Sequence, residues 1–188
     1  MQTTSNMGDA ESIGGKRHGV HFFHEADAPM LEETNVMQSE FSPPVQAGLA
    51  QMVEQGFAEG YVLKCLFASP EPDGFSLTYI WFKGNYPLPP HQHNVDCLYY
   101  VIAGELLMGS RVVRAGGGFF IPAHTGYSYS AGPEGLELLE FRGTSHFDIT
   151  MPDGSPQFWE RMANVCQANR KLWQSQRPPM RVVQPEGR

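Results

Sequence analysis

His91 and His93 are the residues of this chain whose types and spacing point most directly to chemistry. One residue separates them in the run PLPPHQH, and side chains two apart on a strand project to the same face. Both imidazoles can therefore reach one point, where their nitrogens would bind iron, nickel, copper or zinc. The spacing predicts that His91 and His93 are two ligands of a metal site. The alternative is a pair that only hydrogen-bonds within a polar cavity.

The residues around this pair carry a resemblance to a known family. Residues 84–104, GNYPLPPHQHNVDCLYYVIAG, resemble the first motif of the cupin superfamily, which places His-x-His, a carboxylate and a closing glycine in this order. Residues 116–130, GGGFFIPAHTGYSYS, resemble the second motif, where a glycine and a proline precede a strand with another histidine. The resemblance implies an all-β fold, a cupin-type double-stranded β-helix (jelly-roll) barrel with flanking N- and C-terminal helices.

Two of the four ligands that the resemblance implies are replaced in this sequence. Cys97 stands where the family usually has a glutamate, and Tyr127 stands where it has the third histidine. A thiolate is a competent soft ligand, and a tyrosine phenolate can bind ferric iron. The predicted metal ligands are thus His91, His93, Cys97 and Tyr127. The alternative is that Cys97 is a small buried apolar residue and Tyr127 part of the barrel wall.

Other nearby side chains are candidates to complete the site. Asp96 precedes the carboxylate position by one residue and would reach inward only through a β-bulge. His124 follows Pro122 in a turn, where a surface histidine is the alternative. His21 and His24 are expected at the periphery, unless their segment covers the barrel mouth.

Tyr99 and Tyr127 are the predicted catalytic residues. Tyr99 lies two residues after Cys97, so it shares the inward face of its strand. Some cupin lyases use a tyrosine in this neighbourhood as a general base, which the resemblance implies for Tyr99, and a metal would lower its pKa. Tyr127 is the second candidate to move a proton. An ordinary core aromatic residue is the alternative for Tyr99.

Substrate contacts are harder to derive from the sequence. An aromatic lining and an arginine that binds a substrate carboxylate are both possible, with core packing and surface charge as the alternatives. The candidates are Tyr79, Trp81, Tyr86 and Phe141 for the lining, and Arg111, Arg114 and Arg142 for the carboxylate.

Short strands must position these residues. From Tyr61 onward, β-branched and aromatic runs alternate with clusters of Gly, Pro, Asp and Asn, which predicts an antiparallel barrel or sandwich. The runs are YVLKCLFAS, FSLTYIWF, CLYYVIAG, GGFFIPA, YSYSA and LELLEF. Before them, residues 42–56 have helical periodicity, with two prolines in the first turn and Gly56 to end the helix.

The end of the chain predicts a second helix. Ser155 is the expected N-cap and Pro156 the first helical residue. One stripe is expected to pack on the barrel: Phe158, Met162, Val165, Cys166, Asn169, Leu172 and Trp173. Trp159 and Trp173 could instead anchor a subunit contact. We predict a flexible lead-in over 1–18, the barrel with its helical extension over 19–150, and the helix and tail over 151–188.

Composition limits the classes of function. A net charge of -7 argues against sequence-independent nucleic-acid binding, because no basic stripe could neutralise phosphates. No apolar run reaches the length of a membrane span, and the first residues lack the apolar core of a signal peptide. Three widely spaced cysteines suit reduced thiols, which favours the cytoplasm.

These observations predict a metalloenzyme of the cupin class, with dioxygenase-like oxidation of a small organic or aromatic acid. The expected cofactor is a divalent transition metal, iron first, with nickel, copper, zinc and manganese as alternatives. A lyase or isomerase with a tyrosine general base, and a metal-poor cupin that binds or senses a small ligand, are the other hypotheses. The expected partners are a small molecule and, from the resemblance, a second copy in a homodimer.

Overall fold

The structure, a computed structural model, describes residues 20–71 and 73–179. Two helices are present, α1 (Pro43–Glu54) and α2 (Pro156–Ser175). The strands are β1 (Met37–Ser39), β2 (Tyr61–Ala68), β3 (Ser76–Phe82), β4 (Pro87–His93), β5 (Cys97–Met108), β6 (Arg111–Arg114), β7 (Gly118–Ile121), β8 (Tyr127–Arg142) and β9 (Phe147–Thr150). The predicted lead-in over 1–18 and the end of the predicted tail lie outside the described residues.

The two longest strands, β5 and β8, run antiparallel and join the two halves of the barrel. The second half of β8 pairs with β3, which pairs with β2, and the first half of β5 pairs with β7. The first half of β8 pairs with β4, followed by β9 and β1, and the second half of β5 pairs with β6. The predicted all-β barrel with flanking helices is confirmed.

Glycines allow the long strands to pass from one half of the barrel to the other. Gly104 in β5 and Gly135 in β8 have φ angles of 72° and 90°, a region that favours glycine. A Cβ atom on Gly104 would lie 2.0 Å from the carbonyl oxygen of Gly135. Because the ladder continues through this crossing, the runs YSYSA and LELLEF, expected as separate strands, form the single strand β8.

The two helices pack against each other and against the barrel. The Ser155 side chain accepts a hydrogen bond from the Phe158 backbone, which confirms the predicted N-cap. The predicted stripe on α2 is wrong in part. Val165 and Leu172 are 36% and 41% exposed, and the side chains that α2 buries are Trp159, Ala163, Cys166 and Trp173.

Trp159 and Trp173 contact their own chain and are not available for a subunit contact. A Cβ atom on Gly48 of α1 would lie 2.1 Å from the Trp159 ring, so this glycine makes room for the indole. The Trp173 indole nitrogen donates to the carbonyl of Gly84 over 2.8 Å. None of the helices in the described part of the chain has the length and apolar character needed to cross a bilayer.

Candidate metal centre

Strand β4 places His91 and His93 inside the barrel, as the spacing predicts. Both side chains are buried, and their ring centroids lie 5.1 Å apart. Nδ1 of His91 lies 2.9 Å from the carbonyl oxygen of Pro89, and Nδ1 of His93 lies 2.8 Å from that of Asp148. Since a carbonyl can only accept, each Nδ1 carries the proton and each Nε2 keeps its lone pair. This tautomer leaves Nε2 as the metal-binding nitrogen of both rings.

The alternation of β5 directs Cys97 and Tyr99 inward. Both are buried, whereas Leu98 and Tyr100 between and after them are exposed. Cys97 is a free thiol, and burial is the main cause that raises its pKa. The thiol is therefore protonated until a bound ion displaces the proton.

The second half of β8 contributes Glu140 and Arg142, which form a buried ion pair. Burial alone would raise the pKa of Glu140, but Arg142, His93 and a hydrogen bond from Tyr99 together lower it. Sequence reasoning missed Glu140 as a site residue. In the structure it follows Leu136 and Leu138 on the inward face, but the sequence alone does not reveal which face of this strand is inside.

Three of these side chains converge. The ligand atoms of His93, Cys97 and Glu140 all lie within 4.8 Å of one another, and all three residues are buried. They offer nitrogen, sulfur and oxygen, a donor set that suits zinc or a first-row transition metal. Cys97 stands on β5 where a carboxylate was expected, and Glu140 on β8 supplies a carboxylate to the group instead. His91 lies next to this group through its ring contact with His93.

Tyr127 and Tyr99 line the barrel beside the group. Their hydroxyl groups are hydrogen-bonded to each other, and the Tyr127 ring centroid lies 4.3 Å from that of His91. Burial first, and then the charge of Glu140, raise the pKa of both phenols. Both tyrosines therefore hold their protons, which opposes a phenolate ligand or a general base at these positions.

The other predicted ligands lie at the surface. Asp96 is exposed and accepts a hydrogen bond from the backbone of Ala123 over 2.8 Å. His124 is exposed in a turn with a φ angle of 60°. The ring of His24 accepts a hydrogen bond from the Ala26 backbone and caps the start of a short 3-10 turn outside the barrel. His21 lies in the same outer segment, which lines a separate pocket with β2.

Of the three arginines considered for a substrate carboxylate, the structure brings only Arg142 to the site. Arg111 and Arg114 are exposed on β6. The four aromatic residues predicted to line the site do not line it. Tyr79, Trp81 and Phe141 lie on the face of β3 and β8 that is opposite to Glu140. Tyr86 stacks on Phe82 in the core. The rings that contact the site residues are Phe119, Tyr127 and Phe147.

The surroundings of the two histidines keep their imidazoles neutral, but Arg142 occupies the nitrogen of His93 that would bind an ion. Burial and then Arg142 lower the pKa of His93 to about 4, and burial lowers the pKa of His91. Neutral imidazoles are the form that binds metals. However, a guanidinium nitrogen of Arg142 lies 3.3 Å from Nε2 of His93. The donor set fits an ion, provided that Arg142 gives up this hydrogen bond.

A pocket of about 310 Å³ lies beside His91. Residues of β4, of the turn before β8 and of the end of β9 line it, among them Gln92, Gly126 and Met151. Its volume suits a small ligand.

The chain is similar in structure to several solved proteins. An RmlC-like cupin from Shewanella frigidimarina is 17% identical, with a TM-score of 0.45 over 66% of this chain and 90% of that one. The polyketide cyclase RemF from Streptomyces resistomycificus is 21% identical (TM-score 0.47; 58% of this chain, 82% of that one). KdgF from Halomonas sp. is 27% identical (TM-score 0.39; 45% and 79%).

These similarities concern the fold alone. No protein-family profile matches the sequence. No curated protein matches it significantly.

Proposed function

We propose that this protein is a metal-dependent enzyme that acts on a small organic molecule. The observation that carries the proposal is the convergence of His93, Cys97 and Glu140 within 4.8 Å, on three different strands. His91 is the proposed fourth ligand, because its Nε2 is free for an ion and its ring contacts His93. The backbone carbonyl contacts of both histidines fix their rings, whereas Arg142 has to give up its hydrogen bond to His93 when an ion binds.

When bound, a divalent transition metal would supply Lewis acidity and, as iron, the ability to activate dioxygen. Dioxygenase-like oxidation at iron is the reaction we propose first. The chain's own contribution is to hold the imidazoles in one tautomer through Pro89 and Asp148 and to exclude bulk water. The pocket beside His91 is the proposed entrance for the substrate.

A lyase or isomerase reaction is the second candidate, and a hydrogen-bonded chain favours it. Tyr127 is hydrogen-bonded to Tyr99, and Tyr99 is hydrogen-bonded to Glu140. Because burial raises the pKa of both phenols, either one would move a proton only once a bound metal lowers that pKa. In this reaction Tyr127→Phe abolishes turnover without lowering metal content, whereas oxidation at iron tolerates the loss of the hydroxyl.

Metal content tests the proposal directly. The protein is purified without chelator, and iron, nickel, copper, zinc and manganese are measured by mass spectrometry. We expect about one ion per chain in the wild type and a large loss in His93→Ala and Cys97→Ala. Cys166→Ala is the matched control, because Cys166 is an equally buried free thiol in α2, away from the site.

Two results would contradict the metal site. One is a wild-type protein that stays free of metal after reconstitution with each ion. The other is equal metal content in Cys97→Ala, Cys166→Ala and the wild type, with circular dichroism showing that all three are folded.

A further inference from the structure

Arg142 has unused hydrogen-bond donors inside the barrel. The residue is 2% exposed, and within the described residues its Nε and NH1 atoms have no hydrogen-bond partner. NH2 contacts the Glu140 carboxylate and Nε2 of His93, and the guanidinium group also lies within hydrogen-bond reach of the Cys97 thiol. Buried charged donors without acceptors are costly, so such atoms point to a ligand that the protein is built to receive.

We propose that Arg142 binds the carboxylate of a small anionic substrate, an inference that rests on the proposed function and names its substrate class. The guanidinium group is fixed in place, because its central carbon lies 3.6 Å from the centroid of the Phe147 ring. A carboxylate is the planar acceptor that matches the donor geometry of arginine.

Metal binding and carboxylate binding are linked through His93. An ion on Nε2 of His93 takes the lone pair that now accepts from NH2 of Arg142. NH1 and NH2 share the central carbon of the guanidinium group, so the displaced NH2 and the unused NH1 form one edge. That edge can bind both oxygens of a carboxylate.

The charges of the loaded site also favour an anion. In the proposed metal site, where metal-bound imidazoles are neutral, a divalent ion and the Arg142 cation would outweigh the Cys97 thiolate and the Glu140 carboxylate by one positive charge. An uncompensated charge is unfavourable in the interior of a protein. One substrate carboxylate would neutralise it.

Calorimetric titration of the zinc-loaded protein tests this inference, with zinc as a redox-silent ion. Benzoate is the probe, and benzamide is its neutral counterpart of equal shape. We expect benzoate to bind and benzamide not to, and Arg142→Lys to weaken benzoate binding at least about tenfold. Arg114→Lys, an exposed arginine with a surface ion pair, is the matched control and keeps the wild-type affinity.

Zinc content separates this inference from the proposed function. Equal binding of benzoate and benzamide, or unchanged benzoate affinity in zinc-loaded Arg142→Lys, overturns the role of Arg142 and leaves the metal site standing. If no ion, zinc included, binds after reconstitution, the proposed function fails. Benzoate binding to the metal-free wild type, lost in Arg142→Lys, would then still support the carboxylate site, and its absence would overturn it.

A separate observation concerns the outer face of the barrel half that contains β2, β3, β8, β5 and β7. Leu98 of β5 lies opposite Phe120 of β7 on one side and Phe141 of β8 on the other, so the three share this face. Neighbouring rings continue the row at centroid distances of 5.5 to 6.5 Å. We name this surface the outer row: Phe23, Phe67, Phe75, Leu98, Tyr100, Phe120 and Phe141.

We also infer that the outer row binds a second copy of this chain. Six of its seven side chains are 41–55% exposed. At about 100 Å² for each half-exposed large side chain, this apolar area is on the order of 600 Å². That is at the upper end for a monomer surface and near the roughly 800 Å² per partner of a stable interface. Residues 1–19 hold only three large apolar residues, Met1, Met7 and Ile13, too few to cover the row.

Light scattering after size-exclusion chromatography tests the second copy. We expect the wild type to be a dimer, and Leu98→Lys and Phe120→Lys to be folded monomers, because each places a charge inside the interface. Val112→Lys is the matched control, since Val112 is similarly exposed on β6, outside the outer row, and its dimer should persist. A monomeric wild type, or dimers in both lysine variants, would overturn the inference.

Discussion

His93 contacts Arg142 and is also a ligand in the proposed metal site. Its Nδ1 is fixed by the carbonyl of Asp148, and its Nε2 accepts from Arg142 in the metal-free state. The lone pair of this nitrogen can bind either Arg142 or a metal ion. An ion in the proposed site would therefore take the place of the Arg142 hydrogen bond at His93. The histidine pair was predictable from the sequence, because side chains two residues apart on a strand project to the same face. Glu140 was not, because LELLEF is apolar on both faces and does not reveal which of them is inside.

The neutral state of His93 predicts that the metal-free protein loses stability in acid. Burial, followed by Arg142, lowers the folded-state pKa of His93 to about 4 from its usual 6.5. The unfolded chain therefore binds this proton first, so the stabilising contribution is present above pH 6.5 and is lost as the pH falls toward 4. We expect the free energy of unfolding in urea, with chelator present, to fall by up to about 3 kcal/mol over this range.

A substitution tests whether His93 is the cause. His93→Gln should show a flatter dependence over this pH range, whereas His146→Gln, which changes an exposed histidine, should keep the wild-type slope. The same slope in all three proteins would assign the acid sensitivity to other groups.

The ion pair of Glu140 and Arg142 predicts strong coupling between two substitutions. Glu140→Gln leaves the buried Arg142 charge without its partner, so we expect a loss of about 3–5 kcal/mol of stability. Adding Arg142→Met should recover much of this loss, because it removes the unpaired charge. Glu105→Gln at the surface pair with Arg114 should cost less than about 1 kcal/mol. Urea unfolding of the wild type, Glu140→Gln, Arg142→Met and the double variant measures the coupling, and additive losses at positions 140 and 142 would contradict it.

At the scale of elements, the crossing of β5 and β8 brings the site residues together. Cys97 and Tyr99 lie in the first half of β5, Glu140 in the second half of β8 and Tyr127 in its first half, so the site spans both sides of the crossing. The sequence predicted most of the longer strands from their β-branched and aromatic runs. It did not predict the three- or four-residue strands β1, β6 and β9, because so few residues show no clear alternation and depend on their partners for order.

Gly104 is predicted to be intolerant of any side chain. In Gly104→Ala the new Cβ meets the Gly135 carbonyl oxygen at 2.0 Å, and the backbone has a φ angle of 72°. We expect a loss of more than about 3 kcal/mol, since both a clash with backbone and a strained conformation oppose it. Gly109→Ala is the control, because Gly109 has a φ angle of 58° and nothing within 4 Å of the new atom. It should cost only about 1–2 kcal/mol, and equal thermal stability of the two variants would show that β5 relaxes at the crossing.

At the scale of the whole molecule, the two halves of the barrel and the helix pair form one continuous core. Tyr86 stacks on Phe82 of β3 and also contacts Trp173 of α2, so the helix is tied to the barrel through one ring. The sequence predicted that α2 packs on the barrel, and of the side chains that α2 buries it predicted Cys166 and Trp173 but not Trp159 and Ala163. Trp159 fits only because Gly48 of α1 leaves space for its ring. Helical periodicity within α2 gives no information about such a contact with a residue far away in the sequence.

Because the proposed ligands come from three strands, an ion that binds them should stabilise the whole fold. A ligand that binds only the folded state raises its stability by about 2.7 kcal/mol at one hundred times its dissociation constant. For a chain of this length, that corresponds to roughly 5–10 °C in melting temperature. We expect this increase when zinc is added to the chelator-treated wild type and to Cys166→Ala, and its loss in Cys97→Ala. An equal shift in both cysteine variants would mean that zinc binds outside the group of His93, Cys97 and Glu140.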